Sequence, residues 1–182
     1  MAYKFAPAQQ YSPTVFGGPG EIALRGVRHG PAPLHFIGRV SALHLPILAE
    51  QRPLFELPLL YGMQYSGCCL SYRLGLRSDR KVSLTSITPR RSSRGWPYEH
   101  YPTLLPYVPL SIKQRRRMSY RAFARGYPNL SNTQPASLVL VVPPPSSIGV
   151  SLWGPVGDAE EVTIVFECDV ARETVKAYNI CT

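Results

Sequence analysis

The chain has 182 residues, 45% of them hydrophobic and 10% aromatic, which fits one globular domain (residues 1–182) with a sizeable core. Nineteen prolines and fourteen glycines, spread along the whole length, argue against long helices and for short segments joined by turns. The net charge is +9, and no stretch approaches the ~20 apolar residues that a membrane-spanning helix needs.

In chain order, residues 1–20 read as an extended arm, with GGPG (Gly17 to Gly20) as a turn. The N-terminal MAYKFAPAQQYSP has one lysine and no continuous apolar region, so it does not read as a secretory signal. A cytoplasmic protein with four reduced cysteines is the resulting expectation. EIALRGV is a weak strand. LHFIGRV is a stronger one, with Leu34, Phe36, Gly38 and Val40 on one face and His35, Ile37 and Arg39 on the other. SALHLPILAE is a short helix or loop interrupted by Pro46, and FELPLLYG is the next strand.

MQYSGCCLSYRLG alternates, placing Cys68 with Leu70 and Tyr72, and Cys69 with Ser71 and Arg73 on the opposite face. KVSLTSIT is a further strand, and the proline-rich stretch from Pro89 to Leu110 is irregular. SIKQRRRMSYRAFARG is the best helix candidate, with Ser111 as N-cap and Gly126 as stop. SLVLVV, IGVSLWG and EVTIVFECD are strands. Asp169 can cap a final helix, VARETVKAY, although TVKAYNI also passes as a strand. The expected fold is α+β: short, mostly antiparallel strands with two or three short helices. FGGPG before the strand at Leu34 and FARGYP before the strand at Leu138 suggest a weak half-repeat, 16–110 and 123–182.

The cysteine pair raises the question of chemistry. A catalytic cysteine needs a lowered pKa, and no histidine lies within 24 residues of Cys68 and Cys69. Neighbours on a strand point to opposite faces and do not share a metal ion, and Cys168 and Cys181 add no second knuckle. No metalloprotease, nucleophile-elbow or phosphate-loop motif surrounds the four histidines. Core packing is therefore the expectation for the thiols, and no catalytic residue, metal or cofactor is assigned.

Charge distribution is more specific. Residues 73–125 hold 13 of the 20 basic residues and two acids, a local balance of +11; the rest of the chain balances at −2. On the expected helix Gln114, Arg117, Arg121 and Arg125 form one stripe, and like charges four apart cost about 0.2–0.5 kcal/mol per pair in isolation. Either the face is simply solvated, the common fate of charge runs, or it meets an anionic counterpart: the acidic C-terminal segment, nucleic acid, or an acidic protein. Trp96, Tyr98, Tyr101 and Tyr107 in WPYEHYPTLLPY are rigid side chains suited to an interface or to capping the core. The candidate partner-binding surface is Arg90, Arg91, Arg94, Trp96, Tyr98, Tyr101, Arg115, Arg116, Arg117, Arg121 and Arg125.

PLHFIGRV followed by Leu45-Pro46 and LPLLYG resembles the YwqG-like family of bacterial proteins over about thirty residues. Members carry a P-L-x-F-[LI]-x-Q-[IL] strand and then a Leu-Pro element; Arg39 here stands where that glutamine is usual. The resemblance implies a β-rich α+β domain, no established enzymatic role, and occurrence beside secreted toxins as immunity proteins. The first expectation is thus a non-enzymatic toxin-immunity (toxin-antitoxin) protein whose partner is an acidic cognate effector. Nucleic-acid binding through the basic segment is the second, and a cysteine enzyme the third.

Overall fold

The computed structural model describes residues 1–18, 23–25, 35–50, 55–62, 69–75, 78–88, 105–116, 138–142 and 162–181. Within them the chain is built of strands: β1 (Ala2–Pro7), β2 (Val15–Phe16), β3 (Ala23–Arg25), β4 (His35–Ser41), β5 (Glu56–Tyr61), β6 (Cys69–Gly75), β7 (Ser78–Thr88), β8 (Val108–Arg116), β9 (Leu138–Val142), β10 (Val162–Asp169) and β11 (Thr174–Cys181). Helix is limited to a 3-10 turn, Ala42–His44, and one α-helical turn, α1 (Pro46–Ala49), where Pro46 sits at the first helical position that tolerates it. The expected α+β class is therefore corrected to a mostly β fold with no helix of seven residues or more among the described residues.

The strand order is β3-β7-β6-β11-β10-β9-β1-β8-β2-β4-β5. Pairing is antiparallel except at β1–β9 and β3–β7. The sheet curls, so that β5 at one end of the order lies against β7 and β11. Tyrosines join the two sides. The buried Tyr72 hydroxyl on β6 donates to Pro58 O (2.8 Å) and accepts from Leu60 N–H (3.3 Å), satisfying two backbone groups of β5. Tyr61 on β5 donates to Asn179 Oδ1 on β11 (2.8 Å).

The core lies on the inner side of the curl and is assembled in cross-strand rows. Tyr3, Leu140, Phe166, Ala177, Leu70 and Ile87 are successive register partners, and all but Ile87 are buried. Leu138, Cys168, Val175, Tyr72 and Leu84 form the next row. Their alternation is the period-2 signal of the sequence. On the other face Val141, Val165, Tyr178 and Cys69 form a smaller cluster, so β10 is buried on both sides.

The N-terminal arm is a second correction. The alternation of Tyr3 and Phe5 places β1 between β9 and β8, near the middle of the strand order. A third concerns β4. Gly38 pairs with Leu59 and Phe36 with Leu60, leaving Ile37 as a bulge residue. The bulge resets the alternation, so Ile37 and Val40 are both fully buried although the simple pattern separates them. A Cβ on Gly38 would fall 2.2 Å from Val15 O, so the close approach of β2 to β4 requires glycine there.

Candidate interaction surface

The basic segment begins as a strand. Ser111 does not cap a helix; it pairs with Ala6 inside β8. Sheet pairing to β1 prevails over the helical propensity of SIKQRR, because Leu110 and Ile112 meet Pro7 and Phe5 across the ladder. The helix over 111–125 is thus overturned as far as Arg116, and Arg117, Arg121 and Arg125 lie outside the described residues. So do Arg90, Arg91, Arg94, Trp96, Tyr98, Tyr101 and Cys68. The stripe from Gln114 to Arg125 is not formed as read, since Gln114 belongs to β8.

Within β8, register decides which way the charges face. Phe5 pairs with Ile112 and Lys4 with Gln114, which leaves Lys113 as an extra residue. Without that bulge Arg115 would fall on the face opposite Tyr3. With it, Arg115 pairs with Tyr3, and its guanidinium lies 5.7 Å from the ring centroid. Such a contact is worth about 0.5–2 kcal/mol. Arg116 pairs with Ala2 by backbone register.

Lys4, Lys113 and Arg115 are exposed, and no acid among the described residues pairs with them. The described ion pairs lie elsewhere. Arg39 Nε sits 3.4 Å from Glu56 Oε1 without an aligned hydrogen bond, and Arg172 Nε lies 3.7 Å from Asp169 Oδ2. Exposed apolar groups flank β8. Tyr107, the last aromatic of the proline-rich stretch, immediately precedes it and packs on Gly18; Tyr11 is 86% exposed beside Ser12, whose hydroxyl donates to Leu110 O. At ~3.3 Å per residue, Tyr107 and Arg115 stand about 25 Å apart along one strand. Lys4, Tyr11 and Lys113 were missed by a reading that sought clusters in sequence. Lys4 pairs with Gln114, Lys113 is the bulge residue of β8, and Tyr11 adjoins Ser12, which bonds Leu110 O; only the fold supplies these placements.

A second polar cluster joins β2 to the 3-10 turn. The buried Thr14 hydroxyl accepts from Ser41 N–H (3.1 Å) and shares a hydrogen bond with His44 Nδ1 (2.8 Å). Burial lowers the pKa of His44. Thr14 is fully enclosed and Ser12 nearly so, so neither hydroxyl of this cluster is open to solvent.

The cysteines resolve similarly. Cys69 is half-buried on the outer face beside Tyr178, and burial pushes its thiol pKa up; Lys176 lowers it and Glu167 raises it. Cys168 is enclosed in the core, and burial raises its pKa strongly. Both are poor thiolates. No group of three or more metal-ligating side chains occurs among the described residues. Nor does any helix there have the length and apolarity to cross a membrane.

Fold and surface together define a β-sheet protein with an exposed basic and aromatic strand. Compared with family models, curated proteins and solved structures, the chain matches none.

Proposed function

We propose that the chain is a non-enzymatic, cytoplasmic protein-binding module: a bacterial toxin-immunity protein that neutralises a cognate secreted effector by occluding its active site. The observation that carries this reading is β8, which joins the end of the aromatic stretch to the lysine and arginines at 113–116. Tyr107 and Tyr11 offer rigid apolar anchors, while Lys4, Lys113 and Arg115 supply unpaired positive charge. Aromatic anchors rimmed by charge of one sign suit an acidic protein surface. The YwqG-like resemblance of PLHFIGRV supplies the immunity context.

The same charges suit phosphates. However, the rings beneath Arg115 and Lys176, Tyr3 and Tyr178, are buried and offer no open face for base stacking. Co-expression with the product of the adjacent open reading frame tests the proposal. A stable complex in which the effector loses its activity is expected. Absence of a complex, with nucleic acid co-purifying and released steeply by salt, would replace it with the nucleic-acid reading.

A further inference from the structure

Away from β8, the strand β7 carries an open edge. Its first half is covered, since β3 pairs in parallel with Lys81, Val82 and Ser83. From Leu84 to Ile87 it pairs with β6 on one side, and among the described residues no strand pairs with the other. β5 lies against β7 with no ladder between them, and its Pro58 O and Leu60 N–H are taken by the Tyr72 hydroxyl of β6.

The register shows which backbone groups face that open side. Leu74 N–H donates to Glu173 O (2.9 Å), so Leu74, Tyr72 and Leu70 turn their backbone groups to β11, while Arg73, Ser71 and Cys69 turn theirs to β7. Ser71 O, which accepts from Thr85 Oγ1 (2.9 Å), fits this alternation. The partners of Arg73, Ser71 and Cys69 on β7 are Ser83, Ser86 and Thr88. The N–H and C=O groups of Leu84 and Ile87 therefore point outward, away from β6. Thr85 is an extra residue between them, and the bulge puts neighbours on one face. Thr85 and Ser86 are both exposed, whereas Leu84 and Ile87 both pack half-buried against the core.

Charge and symmetry identify what covers this edge. Proteins blunt open edges with lysine, proline or other charge. The charged residues of β7, Asp79, Arg80 and Lys81, all precede the open part, and SLTSIT (Ser83 to Thr88) has none. In a chain of net charge +9 this is a neutral strand, on which a second copy meets no like charge. The outward groups are also self-complementary: two such strands, antiparallel about a two-fold axis, set Leu84 of each opposite Ile87 of the other. We propose that β7 pairs in this way with β7 of a second copy, joining two sheets into one symmetric dimer. Each Leu84–Ile87 pair exchanges both its N–H···O=C bonds and closes two half-buried apolar side chains against each other. This surface is separate from the protein-binding reading of β8, and it stands or falls independently.

The test is sedimentation equilibrium of the full chain with no other protein present. At high micromolar concentration the native chain should sediment at twice its mass of 20.3 kDa. Ser86 would lie beside the two-fold axis, and its side chain is exposed, so it can be replaced without touching the core. Ser86→Lys and Ser86→Glu should each sediment as monomers, because like charges then meet across the axis. An equimolar mixture of the two should return to the dimer mass, which a substitution that merely damaged the fold would not allow. A monomeric native chain, the result if a different protein or another segment of this chain takes the edge, would overturn the proposal. So would dimers that survive both single substitutions, or a mixture that stays monomeric.

Discussion

At the scale of single residues, hydroxyl groups settle the polar accounts of this fold. Tyr72 is the clearest case. Its oxygen bridges Pro58 O and Leu60 N–H from across the curl, and burial drives its pKa well up, so it stays protonated and able to donate. Tyr72→Phe would strand a buried carbonyl and a buried amide at once, a cost of about 2–3 kcal/mol in denaturant unfolding. Tyr61→Phe, which removes one half-buried bond to Asn179, should cost about 1 kcal/mol. The Thr14–His44 pair behaves differently because it titrates. The folded-state pKa of His44 lies below its ordinary 6.5, so the unfolded chain binds the proton more readily. The stability this contributes is present above pH 6.5 and is lost as pH falls through the folded-state value. His44→Asn keeps an acceptor near the Nδ1 position and removes the titration. It should flatten the dependence of unfolding free energy on pH below 6.5.

At the scale of elements, β8 shows what patterning reveals and what it misses. The strands at LPLLY, LVLVV and TIVFEC were legible because their apolar residues recur at period 2 or run continuously at strand length. SIKQRR was not, because its polar positions fit a helix stripe equally well and its apolar partners, Phe5 and Pro7, lie a hundred residues away. Asp169 was read as the cap of a helix and instead accepts from Arg172 N–H in the β10–β11 turn; a capping aspartate serves either purpose. The bulges at Ile37 and Lys113 were invisible, since an unpaired residue leaves no mark on composition. The bulge at Lys113 makes a sharp test. Deleting Lys113 leaves Ile112 opposite Phe5 and Arg115 opposite Tyr3, so stability should change by less than about 1 kcal/mol. Inserting one residue after Gln114 instead keeps the bulge but moves Arg115 onto the Ala2 position, off the Tyr3 face, and should cost more than twice as much. Thermal unfolding of the deletion and the insertion side by side distinguishes a strand from a helix here, because a helix would be disturbed similarly by either.

At the scale of the whole molecule, acids and bases are placed apart. The hairpin end gathers acids around an apolar cleft, whereas β1 and β8 carry lysines and arginine with no described acid opposite. The charge asymmetry of the sequence, +11 over residues 73–125 against −2 elsewhere, was legible without a structure. Which cations stand together was not, because Lys4 joins Lys113 and Arg115 only through β-pairing. Complex formation between the product of the adjacent open reading frame, the effector proposed for this chain, and the charge-reversed variant Lys113→Glu/Arg115→Glu tests the proposed role of β8 most directly. Both side chains are exposed, so the variant should fold, less stable only by the Arg115–Tyr3 contact, about 0.5–2 kcal/mol. Its affinity should fall about 10–100-fold, with most of the loss in association rate and less of it at high salt. Unchanged affinity and salt dependence in a folded variant would contradict the assignment of β8 as the binding strand.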